Sequence, residues 1–573
     1  MRIAVVVLLL VCTSVFAQDR IGIWLDDKIV AGESGEAMQK YLTRLEPYGW
    51  HGAVLVAQRD TVLLHDAYGI ANPLSGRENT TNTAFSTGSV TKQFTAAAIM
   101  LLAQDFIVTP DASIDYYFSD VPADKQGITI HHLLTHTAGL APAYGPDNEP
   151  VGRHEYVRRV LSEPLIAPVG DRYEYSNAGY SLLAAIIEVV SAMDYETFLR
   201  EKFFKQSWMR LTGLHQPVWR EEELAHSHNA KLGYPTPADR PEQSWNLTGN
   251  GGILSTPGDM FRWFRFLQSD KALNDESRRL LFTPHVKEYA DADSYYGYGW
   301  VIQESRTGDT VIWHNGGAMP HGWSCAVYYY KEADALFIVF SNAPFNGRLP
   351  VDNIAVNLSA ILFGDRSLTL PPAVMTSFDL ATLDGYAGVY ESNDGDFIVT
   401  SGTDRLLVKP SDQEACDILF PSEFAAALPK YNDLTRQLVR LMADGKYTEA
   451  AEASSFQAGD KAVGMLEEWW TSHPASLGEF EDVKIIGTVA TGDAHTHFRL
   501  DFEEGSVFCE AAWIPPGRCL GIGEAPLPQR DLLPTAPNRF SAYSLVGEVT
   551  RAAFSDGVLT FVSPGGSFTA TRR

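Results

Sequence analysis

Ser89-Val90-Thr91-Lys92 puts a hydroxyl and an amine three residues apart at the start of an apolar, helix-patterned run. Residues three apart on a helix share a face, so the Lys92 amine can reach the Ser89 hydroxyl. The helix start adds partial positive charge where an oxyanion would develop, and a buried lysine loses basicity and can accept a proton. That pairing suits nucleophilic acyl transfer. Alone, S-x-x-K arises about once by chance in a chain of this length, and the plainer alternative is a capping serine beside a lysine stretched toward solvent.

Two other groupings point to the same chemistry. Tyr175-Ser176-Asn177 lies between the Pro168-Val169-Gly170 turn and a long apolar helix at 178–190. A tyrosine hydroxyl there can relay a proton, and the asparagine amide can hold a substrate carbonyl. His314-Asn315-Gly316-Gly317 ends a strand that starts at Val311. Its glycines let a substrate approach the backbone, and a free N–H there can form half an oxyanion hole.

These groups need elements to hold them. Gly52–Gln58 and Thr61–Tyr68 read as a hairpin around Arg59-Asp60. Val90, Phe94, Ala97 and Leu101 form one apolar stripe, and helical periodicity dominates from about 89 to 205. Strands return at 311–314, 323–330 and 336–340. Strands, helices, then strands that close the same sheet make an α+β plan with the helical part inserted. Residues 366–382 read as a linker, which leaves 18–365 as the catalytic domain. Beyond it, 383–426 and 538–573 read as the start and finish of a small β-barrel. An α+β module at about 427–530 is expected between them. Its first helix spans 433–444, with Leu434, Leu438, Leu441 and Met442 on one face and Asp433 as N-cap. A second helix at 461–472 and strands at 483–489, 497–502 and 506–513 follow.

Composition narrows the function classes. Lys+Arg is 45 against Asp+Glu 71, a formal charge of −26, which disfavours nucleic acid and anionic membrane surfaces. Arg2, the apolar run Ile3–Val11 and Val15-Phe16-Ala17 read as a secretion signal over 1–17, so a periplasmic or secreted protein is expected. That run is too short to span a bilayer, and Val11 before Cys12 disfavours a lipid anchor. His131, His132 and His136 resemble a metal cluster, but their spacing does not suit one helical face. No metal and no cofactor is expected. Cys509 and Cys519 flank Pro515-Pro516-Gly517 and are either a disulfide or two buried small side chains. Trp469 and Trp470 read as core, and G-x-S-x-G is absent, which disfavours an α/β-hydrolase.

The order S-x-x-K, Y-x-N, then [K/H]-x-G resembles the serine β-lactamase and penicillin-binding-protein superfamily. The resemblance is to its class-C-like branch of DD-peptidases, D-aminopeptidases and related esterases. The stretches Ala84–Gly88, Ile128–Leu140 and Asn250–Met260 support it, and the likeness covers about residues 30–365. It implies a β-lactamase/DD-peptidase-like antiparallel sheet, with a lipocalin-like barrel appended. It also implies that Ser89 is the acyl-accepting nucleophile, that Lys92 and Tyr175 share the acid–base work, and that Asn177 orients the substrate. Which of Lys92 and Tyr175 takes the first proton stays open. The backbone N–H groups of Ser89 and Gly317, beside Gly316, would form the oxyanion hole. His314 stands where many β-lactamases have lysine. A histidine near its ordinary pKa of ~6.5 would assist a substrate carboxylate only partly, fading as pH rises. The implied activity is an exported serine hydrolase acting through an acyl-enzyme on D-amino-acid peptides, cell-wall fragments or small esters. The alternative is a binding or regulatory protein that keeps the fold without turnover. Its partner is a small-molecule or peptide substrate, and oligomeric state stays open.

Overall fold

The computed structural model describes residues 25 and 27–573, apart from 240–243, 290–291, 306–307, 319–320, 344–349, 366, 394, 421–427, 456–461, 473–476, 491–493, 515–516, 545–547 and 564–565. The expected signal over 1–17 lies outside these residues. The chain divides into two compact units, with the change at Leu368/Thr369, inside the stretch read as a linker.

In the first unit the sheet strands are β1 (Ile29–Val30), β2 (Gly52–Gln58), β3 (Thr61–Tyr68), β4 (Val286–Lys287), β5 (Ser294–Tyr296), β6 (Val301–Glu304), β7 (Thr310–Ala318), β8 (Trp323–Tyr330) and β9 (Ala335–Ser341). Their spatial order is β1-β3-β2-β9-β8-β7-β6-β5-β4. β2 pairs antiparallel with β9 from Gly52↔Ser341 to Gln58↔Ala335, so the last strand closes against the first hairpin. β9 is buried at every position, which explains its unbroken apolar sequence in place of alternation. α1 (Gly32–Leu45) precedes β2, and the chain between β3 and β4 forms the helical part, including α2 (Lys92–Gln104) and α3 (Asn177–Ser191). A last helix, α4 (Pro350–Leu362), packs back on β8 and β9.

α2 differs from its expected shape in two ways. Ser89 does not open it, because Gly88–Thr91 is a 3-10 turn and the α-helix begins at Lys92. Nor does it show a single stripe: Lys92 to Met100 are all buried, while Leu101 is only half-buried. The small residues Thr95-Ala96-Ala97-Ala98 let neighbours approach from every side.

In the second unit, Gly388–Glu391, Phe397–Ser401, Leu406–Pro410, Arg530–Ala536, Arg539–Tyr543, Val549–Ser555, Val558–Ser563 and Gly566–Arg572 close into an antiparallel barrel. Phe397, Val399, Leu406, Val408, Leu532, Phe540, Leu559 and Phe561 fill it. Between the third and fourth of these strands runs a separate module. It holds helices Pro429–Ala443, Tyr447–Ser454 and Ala462–Ser472 and strands Phe480–Ala490, Ala494–Phe502, Gly505–Ile514 and Arg518–Glu524. The module has its own core around Leu438, Met442, Leu466, Trp470, Phe498 and Trp513. Its first helix starts at Pro429, whose fixed φ suits a first helical position, so Asp433 lies inside the helix and pairs with Arg436 at 2.9 Å. Cys509 and Cys519 are buried free thiols. Their register partners are Glu524 and Trp513, so they do not face each other and the disulfide alternative is excluded.

Candidate active site

The serine turn is held from behind. Thr87 N–H donates to the Ile253 carbonyl at 2.9 Å, and Ile253 N–H donates to Thr91 Oγ1 at 3.2 Å. In front, the backbone of β7 lies directly against it. A Cβ on Gly316 would fall 2.2 Å from Thr87 O and 2.5 Å from Ser89 N, and one on Gly88 would fall 2.6 Å from Gly317 N. Gly88 also has a φ of +51°, in the left-handed region. Only glycine fits either place, and the pair brings the strand edge and the serine turn together backbone to backbone.

Lys92 Nζ is fully buried and has three polar neighbours: Ser89 Oγ at 3.0 Å, Asn177 Oδ1 at 2.7 Å and the Asn250 carbonyl at 3.0 Å. Among the described residues no carboxylate forms an ion pair with it. Burial holds its pKa well below the usual lysine value, and the charge of Asp147 opposes this only in part. The geometry suits a neutral amine. Two N–H groups meet obligate acceptors, and the lone pair is left for the hydroxyl of Ser89. Nζ also lies 4.7 Å from the Tyr175 ring centroid and 5.7 Å from that of Tyr180.

Burial raises the Tyr175 phenol above the ordinary tyrosine value, with the Ser89 hydroxyl acting against it, so it carries its proton at neutral pH. Ser176 caps α3, Asn177 is the first helical residue, and Ser176 N–H donates to His136 Nδ1 at 3.0 Å. Asn177 N–H donates to the Pro142 carbonyl at 2.9 Å. The three histidines therefore serve as fixings: His136 anchors the Tyr175–Asn177 segment, His131 bonds Tyr298 OH at 2.8 Å, and His132 forms a capping box with Thr129. Among the described residues no three His, Cys, Asp or Glu side chains converge as a metal site.

His314 departs from expectation. It is 3% exposed, its Nδ1 meets the Asn315 carbonyl at 2.6 Å, and its Nε2 meets the Tyr296 hydroxyl at 3.0 Å. The carbonyl is an obligate acceptor, so Nδ1 carries the hydrogen and Nε2 accepts from Tyr296. Burial is the main cause that pushes its pKa down, to about 3 when Lys92 beside it is charged. With its pKa that low the ring is neutral near pH 7, in place of the partial cation expected near pH 6.5.

Ser89, Tyr175 and Asn177 are partly accessible, Gly317 is exposed and Lys92 is sealed beneath them. The site residues named from sequence lie around one point, with His314 turned inward. What sequence reasoning missed is the Asn250 carbonyl. The run Asn250-Gly251-Gly252 stood out, but a backbone acceptor leaves no residue type to recognise.

A sheet closed around inserted helices, with a buried lysine on a serine beside a glycine-edged strand, defines the β-lactamase/penicillin-binding-protein/DD-peptidase class of folds. A family model described as Beta-lactamase matches residues 42–361, more than half the chain. The chain belongs to this beta-lactamase family. It is 29% identical over 401 residues to penicillin-binding protein 4* of Bacillus subtilis, covering 66% of this chain and 87% of that protein. It is 27% identical over 341 residues to D-aminopeptidase of Brucella canis, covering 56% and 60%. The octameric penicillin-binding protein homologue from Pyrococcus abyssi shares the fold with a TM-score of 0.53 at 17% identity, over 94% of this chain and 100% of that one. The protein thus stands among β-lactamase- and penicillin-binding-protein-related hydrolases of amide and ester bonds.

Proposed function

We propose that the protein is a serine hydrolase that forms an acyl-enzyme on Ser89, with D-amino-acid peptides, cell-wall fragments or small esters as substrates. The observation that carries this is the sealed Lys92 amine, 3.0 Å from Ser89 Oγ and without an ion-pair partner among the described residues. Ser89 Oγ attacks the substrate carbonyl carbon as its proton passes to Lys92 Nζ. The N–H groups of Ser89 and Gly317 receive the negative charge on the carbonyl oxygen. Tyr175 gives its proton to the departing nitrogen or oxygen and recovers one from the Lys92 ammonium. Water then attacks the acyl carbon by the reverse route and frees Ser89. The depressed lysine and raised tyrosine favour Lys92 as first acceptor. Asn177 orients the substrate carbonyl or amide. His314 contributes through the placement of β7.

The names of the penicillin-binding and D-aminopeptidase relatives support the D-peptide class. The run Ile3–Val11 behind Arg2 supports action outside the cytoplasm. The barrel's meander order supports the lipocalin-like reading, and its filled interior makes it a scaffold and not a cup. Mass spectrometry after exposure to a fluorophosphonate tests the reading. An adduct on Ser89 is expected, and none with any acylating probe would favour a binding protein.

A further inference from the structure

The residues before Gly316 are tied down on both faces of the sheet. On the Ser89 side, His314 Nδ1–H donates to the Asn315 carbonyl at 2.6 Å. On the other, Asn315 Nδ2 donates to Asp352 Oδ2 of α4 at 2.8 Å, and the Tyr328 hydroxyl donates to Asp352 Oδ1 at 3.1 Å. With Tyr296 on His314, two sets of hydrogen bonds meet at Asn315, one on its backbone carbonyl and one on its side-chain amide. Asn315 stands one residue before the glycine that touches Ser89.

We propose that Asp352 is a positioning residue for acyl transfer: by holding Asn315 it fixes the Gly316–Gly317 backbone against the serine turn. The proposal rests on the Ser89 reading above. A half-buried carboxylate is a costly way to tie a strand to a helix, since among the described residues no Lys, Arg or His forms an ion pair with it. The groups that face it are Asn315 from β7 and Tyr328 from β8, whose phenol is held neutral by burial and by the charge of Asp352; Cys325, opposite Gly316, lies on the other face of the sheet. Burial pushes the Asp352 pKa up to about 6, the two donors acting against it. Ionised, it accepts charge-assisted bonds, roughly twice as strong as neutral ones, and protonation weakens its hold on Asn315.

The test uses the full chain, with single-turnover acylation by a neutral nitrophenyl ester from pH 5 to 9. Wild type, Asp352→Asn and Asn315→Ala are compared, with hydrogen exchange followed at 314–318. Lys92 titrates in all three. The wild type should show a further step near pH 6. Both variants should lose that step, acylate about tenfold more slowly at pH 8, and keep half-saturation within about twofold. Exchange at 314–318 should rise in both variants at pH 8, and in the wild type only below the step. A step near pH 6 that survives in Asp352→Asn, or a wild-type maximal rate in that variant, overturns the proposal. If Asp352→Asn does not fold, Asn315→Ala decides by the same two readings. If exchange behaves as expected while Ser89 is never acylated, the serine reading fails and Asp352 is structural only.

Discussion

Each unit desolvates a basic side chain, and the two are used differently. Lys92 in the first unit touches two carbonyl oxygens, one hydroxyl and the faces of two tyrosines. Arg530 in the second donates to the Leu419 carbonyl at 2.7 Å, at the end of helix Gln413–Leu419, and lies 4.6 Å over the Phe420 ring. In both, burial lowers the pKa. A guanidinium keeps its proton regardless, so Arg530 can only cap a helix end and stack. An amine can lose its proton, and Lys92 has a hydroxyl waiting to supply another. Burial alone does not mark a catalytic group; burial of a group able to exchange its proton with a nucleophile does.

The largest test of that contrast is chemical. Ser89→Ala and Lys92→Arg should each lose about a thousandfold or more in acylation rate, with no additive loss when combined. Wild-type turnover in either would break the mechanism. Arg530→Lys should leave the rate with a small probe unchanged.

His314→Lys comes next. The buried lysine would lose the bonds to Tyr296 and Asn315, so acylation should fall about tenfold to a hundredfold for neutral and carboxylate substrates alike. In the wild type, the ratio of the two substrate types should not follow a histidine titration between pH 5.5 and 8.5, because the ring stays neutral above about 3. Paired kcat/KM profiles check both.

Stability gives the opposite sign from activity. Lys92 has a folded pKa below its unfolded value, so it destabilises the fold at pH 7, and that penalty shrinks as pH rises toward 10.5. Lys92→Met should match or exceed the wild-type Tm at pH 7, with the gap closing by pH 10. Asp352 runs the other way. Its folded pKa of about 6 exceeds 3.8, so stability is lost as pH rises between those values, on the order of 3 kcal/mol above pH 6. Asp352→Asn should therefore be no less stable than wild type at pH 8 while acylating more slowly. A clear drop in Tm for either variant would count against the assigned neighbours.

The smallest effect expected is from removing the second unit. A chain ending at Leu368 should still be labelled at Ser89 by a small fluorophosphonate at close to the full-length rate. Loss of folding would show that the units depend on each other.

Much of the first unit was legible. The strands at 52–58 and 61–68 end where the sequence placed them, since Arg59-Asp60 interrupts two β-rich runs. That Ser89, Lys92, Tyr175 and Asn177 come together could be anticipated because side-chain chemistry at fixed spacing survives in the letters. The burial of His314 could not, because Tyr296 reaches it from two strands away. Nor could Asp352, whose carboxylate matters only through α4 packing behind β7. In the second unit, Arg518–Glu524 was missed because Gly521 and Gly523 dilute its alternation. Helix Gln413–Leu419 was missed because only two turns carry its periodicity.

The interrupted barrel has a consequence for synthesis. Leu406–Pro410 pairs with Arg530–Ala536, so the chain leaves one strand and returns to its direct neighbour after roughly 120 residues. At ~5–20 residues per second, the ribosome leaves that edge unpaired for about 6–24 s. An edge with Leu406 and Val408 on its apolar side is open to pairing with other chains throughout that interval. The module made meanwhile carries its own core, and the pairing of Leu406–Pro410 with Arg530–Ala536 requires its two ends to lie near each other. Delay in that module should therefore show first as aggregation of the nascent chain, whatever the final stability of the barrel.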